Sequence, residues 1–80
     1  MAISLSDLQR VLSEPRDLPA IADSYYDREA DVLYVTFERG PSDRSDFTPN
    51  NVVLRYKDGR LISVTILNAS KRPGLHLDSL

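Results

Sequence analysis

The apolar residues of this chain change period once. Over residues 4–13, SLSDLQRVLS, Leu5, Leu8 and Leu12 recur at helical spacing and make one stripe. Ser4 can cap that helix, with Asp7 three positions on as an imperfect capping box. Ile3 before the cap and Leu8 in the first turn suit a hydrophobic staple. Pro15 ends the helix by biasing Glu14 away from helical angles. Residues 14–20, EPRDLPA, form a stiff linker through Pro15 and Pro19. From Ile21 onward the alternation is of period two, and it predicts strands over about 21–26, 32–38, 51–57 and 60–67. Residues 39–50, RGPSDRSDFTPN, are rich in turn formers and charge and read as a long loop. The expected fold is α+β, a four-stranded antiparallel β-meander with a short N-terminal helix. The chain divides into a helix and linker over 1–20, a meander domain over 21–70 and a tail over 71–80.

Register can be argued at the hairpin YKDGRL. A two-residue Asp58-Gly59 turn pairs Tyr56 with Leu61, and it sends Ile62, Val64 and Ile66 to the face opposite Val52 and Leu54. A three-residue loop, Lys57-Asp58-Gly59, pairs Tyr56 with Arg60 and gathers Val52, Leu54, Tyr56, Ile62, Val64 and Ile66 on one face. The second register is favoured because it buries a coherent surface. It also fits a type I turn followed by a left-handed Gly59. Leu33, Val35 and Phe37 then join the core, while Val32, Tyr34 and Thr36 face the other way. That other face, with Val53, Arg55, Leu61, Ser63, Thr65 and Leu67, is neither clean core nor clean solvent. It reads either as a partner surface centred on Val32, Tyr34, Val53 and Leu61 or as an ordinary half-wet sheet face.

Composition narrows the function classes. The 80 residues are 41% hydrophobic and 28% charged, ordinary for one small globular domain. With no Cys, neither a disulfide nor a thiolate site is available. A core of this size contributes only about 3–5 kcal/mol, so association into an oligomer, a dimer first, is expected. No apolar run approaches the roughly 20 residues of a membrane span and no signal peptide is visible, so the expected location is cytoplasmic, with no membrane partner. Ten Lys plus Arg against twelve Asp plus Glu leave a net charge of −2, with signs interspersed. That balance offers no basic field for a nucleic acid.

The best candidate for chemistry is DREAD, residues 27–31, where Asp27, Glu29 and Asp31 have the spacing of the first oxygen ligands of a calcium loop. Glu38 stands at the twelfth position, but Val32 occupies the sixth, where the loop needs Gly, and the chain runs on as a strand. The better reading is a hairpin turn in which Asp27 accepts backbone N–H groups. The same acids as a hydrolytic pair lack a cleft. His76, the single histidine, stands in the tail without a nucleophile elbow and cannot make a multi-histidine metal site. Gly40, Gly59 and Gly74 are too dispersed for a phosphate loop. Arg55, Lys57 and Arg60 at a hairpin tip, with Lys71 and Arg72 beyond, suit either a groove-binding ribbon or a charge-protected edge. No catalytic residue, cofactor or metal is assigned.

YDREADVLYVTF, followed after a variable loop by DGRLISVTILNAS, resembles a bacterial family called domain of unknown function 2283. Its pattern is Y-D-x-E-A-D-x-L-Y-[IV], then D-x-x-G-x-[IV] or D-G-x-[IV], and [IV]-L-[DN]-A-S. The resemblance covers about residues 25–70 and marks Tyr26, Asp27, Glu29, Asp31, Leu33 and Gly59 as a structural signature, with Ala30, Tyr34, Leu67, Ala69 and Ser70. Members are small stand-alone proteins, some beside toxin-like neighbours, so the resemblance implies an antitoxin-like or regulatory binding role. The function expected is a non-enzymatic protein-binding or self-associating module. Nucleic-acid binding through the basic hairpin and a metal-dependent site at DREAD are the alternatives.

Overall fold

The computed structural model describes Leu8 and residues 18–72. Five antiparallel strands form one sheet: β1 (Asp23–Asp27), β2 (Val32–Thr36), β3 (Arg44–Phe47), β4 (Val52–Lys57) and β5 (Arg60–Leu67). Their order is β1-β2-β5-β4-β3. The expected four-stranded meander with an N-terminal helix is therefore corrected. A fifth strand, β3, lies inside the expected loop 39–50, and β5 inserts between β2 and β4. The chain leaves β2 and crosses the ends of β5 and β4 to begin β3, which gives β2 to β5 a Greek-key order. The expected helix over 4–13 falls outside the described residues except for Leu8, as does most of the tail. The described helical element is a 3₁₀ turn, Ala69–Lys71. No helix among the described residues is long and apolar enough to cross a membrane.

One face of the sheet carries the core. Leu33 and Val35 of β2, Val52 and Leu54 of β4 and Val64 and Ile66 of β5 cluster there with Phe37 and Ala69. Leu8 is buried in the same cluster, and Leu18, Ile21, Tyr26, Tyr56 and Leu61 pack against it. The register explains the set. Leu33 faces Ile66 and Ile66 faces Val52, while Val35 faces Val64 and Val64 faces Leu54. These rows run across the three inner strands, and each fully buried side chain in them contributes about 1.5–3 kcal/mol of transfer free energy.

The β4–β5 hairpin reaches this register by an unexpected route. The turn has two residues, with Lys57 opposite Arg60 and Tyr56 opposite Leu61. Asp58 (φ 51°) and Gly59 (φ 77°) are both left-handed, the pattern of a I′ turn. The favoured three-residue loop is thus incorrect. The phase is restored further along the hairpin, by a shift after Tyr56 that leaves Ile62 without a partner and sets Arg55 opposite Ser63. Beyond that bulge Leu54 and Val52 meet Val64 and Ile66 on the core face. The Ile62 carbonyl also accepts the N–H groups of both Phe37 (2.9 Å) and Glu38 (3.2 Å), the two-donor pattern of a second bulge where β2 ends. Leu61, expected on the second face, packs instead against the core.

Two stability outcomes follow from these placements. Leu33→Ala opens a cavity at a fully buried central position and should cost about 2–5 kcal/mol in a denaturant titration. A Cβ at Gly59 would meet nothing within 4 Å, so Gly59→Ala should cost only the left-handed strain, about 1 kcal/mol. An unchanged midpoint for either variant contradicts the packing described.

Candidate functional site

The DREAD turn joins β1 to β2, and its three acids have separate placements. Asp27 Oδ1 accepts the N–H groups of Glu29 (3.1 Å) and Ala30 (3.2 Å), closing the turn on itself. Glu29 is exposed and accepts no hydrogen bond from the described residues. Asp31 adopts φ 57°, a left-handed conformation that Asp tolerates better than most residues. Its Oδ1 accepts the Tyr26 hydroxyl (2.7 Å) and the Ser70 N–H (2.9 Å), and its Oδ2 accepts the Ser70 hydroxyl (2.7 Å). The Asp31 carbonyl accepts the Ala69 N–H at 3.0 Å. Asp31 therefore clips the 3₁₀ turn after β5 onto the β1–β2 hairpin, through both side chain and backbone.

This network sets the protonation of its members. The Tyr26 hydroxyl, then the Ser70 hydroxyl and N–H, hold the Asp31 carboxyl below the usual carboxylate range, against some desolvation and with help from Lys71. The bond to Asp31 pushes Tyr26 above the usual phenol value. Three donors occupy the Asp31 oxygens, and no group of three metal-ligating side chains comes together among the described residues. Asp27, Glu29 and Asp31 thus act as a turn, a solvated side chain and a clip. His76 lies outside the described residues.

The signature residues Tyr26, Asp27, Asp31 and Leu33 gather at one end of the sheet, and Gly59 turns the chain at the other. Sequence reasoning did not link Ser70 to Asp31. The order of the two motifs, one closing a hairpin and the other ending a central strand, was the available signal.

The second face is more broken than expected. Val32 and Val53 are buried, and Leu61 is on the core side. What remains exposed is aromatic: Tyr25 (59%), Tyr34 (39%) and Phe47 (78%). Successive pairings align Tyr25, Tyr34, Thr65, Val53 and Phe47 in one row across all five strands. Tyr25 and Tyr34 stack with centroids 6.2 Å apart and planes 19° from parallel. Sequence reasoning placed only Tyr34 of these tyrosines off the core face, and it missed Phe47 because β3 was read as loop.

The basic hairpin is divided. The Arg60 guanidinium forks onto Glu38 at 2.8 and 3.3 Å, holding that carboxyl below its usual range. Arg55 stands on the second face opposite Ser63. Arg72 donates to the Asn50 carbonyl, and Lys71 lies near Asp31. No single basic stripe forms from these residues.

The clip has a pH signature. A carboxyl depressed in the folded state stabilises the fold fully above its unfolded value and loses that contribution as pH falls through the folded one. Asp31→Asn should therefore lower the melting temperature most above about pH 5, and the gap to wild type should narrow below about pH 4. Thermal melts from pH 2 to 8 measure this, and a gap that does not vary with pH contradicts the assignment.

The family model described as "Protein of unknown function (DUF2283)" matches residues 24–70. No curated protein and no solved structure is found to match. The matched span is more than half of the chain and holds the hairpin, its clip and Ser70, so this chain belongs to that family.

Proposed function

We propose that the protein is a non-enzymatic protein-binding module whose first partner is a second copy of itself, joined through the free edge of β3. The observation that carries this reading is the character of that edge. All four residues of β3 are exposed, and the strand pairs only with β4 among the described residues. The Thr48 N–H donates to the Val52 carbonyl at 2.9 Å, so these two form a bonded pair. Asp46 and Arg44 share that phase, and the main-chain groups of Ser45 and Phe47 point away from β4.

Two such edges fit one another antiparallel about Ser45. In that register Ser45 meets its own copy, and Arg44 of each copy lies opposite Asp46 of the other. The charges are complementary twice over, as a two-fold interface requires. Within one chain Arg44 already lies 3.3 Å from Asp46 and 4.3 Å over the Tyr56 ring, so the guanidinium is held at the edge. Strand addition of this kind draws its affinity from main-chain bonds and its register from side chains. A short strand makes a weak dimer, in keeping with a small regulatory protein that exchanges partners.

Light scattering across a dilution series tests the reading. A mass that falls from dimer to monomer is expected. Arg44→Asp and Asp46→Arg alone should each shift the transition to higher concentration, and the double exchange should restore it. A monomer at every concentration overturns the proposal, and so does a dimer indifferent to both single changes.

A further inference from the structure

The second face holds a groove of about 630 Å³ between the sheet and residues 38–42. That volume is within the range of small-molecule sites. Its floor is a patch of hydroxyls around one guanidinium. Arg55 lies opposite Ser63, and Ser63 opposite Thr36; in the next row Thr65 lies opposite Tyr34. Ser42 and Arg39 stand on the wall.

Two features give the groove a charge preference. Arg55 makes no ion pair with the described residues, and Arg39 reaches only Asp23, at 3.8 Å between two exposed side chains. Glu38, the one acid in the lining, is engaged by Arg60 at 2.8 Å. Thr65, only 5% exposed, lines the groove with a buried hydroxyl that has no hydrogen-bond partner among the described residues. That hydroxyl is closed to solvent, so the groove offers the hydroxyls of Thr36 and Ser63 instead.

We infer that this groove binds a small hydroxylated organic anion, a sugar acid or sugar phosphate in chemical class. The Arg55 guanidinium takes the carboxylate or phosphate as a fork, which an ammonium could not do as well. Thr36 and Ser63 exchange hydrogen bonds with the ligand hydroxyls, and the Tyr34 ring covers the apolar face of its body. The groove adjoins the β3 edge, since Arg55 lies opposite Ser45, but it does not use the outward-facing main chain of β3.

The test is a titration followed by backbone amide shifts in ¹⁵N-labelled full-length protein, with glucuronate, glucose 6-phosphate, glucose and inorganic phosphate as probes. At least one of the two sugar anions should move the signals of Thr36, Arg55, Ser63 and Thr65, and glucose should not. Which anion binds more tightly distinguishes a carboxylate site from a phosphate site. Arg55→Ala should weaken binding by roughly tenfold or more, with Arg55→Lys in between. Ser63→Ala supplies a second readout: it should weaken the sugar anion and leave the melting temperature nearly unchanged. Three results each overturn the inference: no response to either sugar anion, equal binding of glucose, or unchanged binding in a folded Arg55→Ala variant.

Discussion

The fold depends on one strand being read in the correct phase from both sides. β5 pairs with β2 along one edge and with β4 along the other, so its alternation decides what three strands bury. Val64 and Ile66 fit Val35 and Leu33 on one flank and Leu54 and Val52 on the other. A tight two-residue turn would put the β4 and β5 apolar sets on opposite faces. The unpaired Ile62 absorbs that one-residue error. Everything at the far end of β5, including the clip on Asp31, relies on this correction having been made upstream.

The physics explains which parts were legible. Strands buried on one side announce themselves by alternation, and β2, β4 and β5 lie close to where the pattern puts them. The same alternation selects Leu33, Val35 and Phe37 for the core. β3 was illegible because its sequence, Arg44-Ser45-Asp46-Phe47, is exposed on both faces. No periodic burial exists there to leave a trace. The hairpin register failed for a different reason: a longer loop and a tight turn with a bulge deliver the same apolar face. Pattern alone cannot separate them, whereas the Asp58-Gly59 pair is suited to the left-handed turn that forms.

The acids of the opening hairpin show how a suggestive motif resolves into unlike parts. Spacing made Asp27, Glu29 and Asp31 resemble ligands of one ion. The backbone points them to different ends: one inward to its own turn, one to solvent and one to the segment that follows β5. In this chain the acid segment thus makes a tertiary contact with a distant piece of chain: Asp31 supplies the acceptors and Ser70 two of the donors.

The place of β5 also bears on how the chain acquires its structure. Leu33 and Ile66 are partners across a separation of 33 positions (66 − 33), and the strand between β2 and β4 is the last to be synthesised. Until it arrives, the β1–β2 hairpin and the β3–β4 hairpin have no common core, and the inner edges of β2 and β4 remain open. Folding is consequently governed by non-local contacts, with the slow kinetics these impose. Until β5 docks, the inner edges of β2 and β4 are open to capture by another strand.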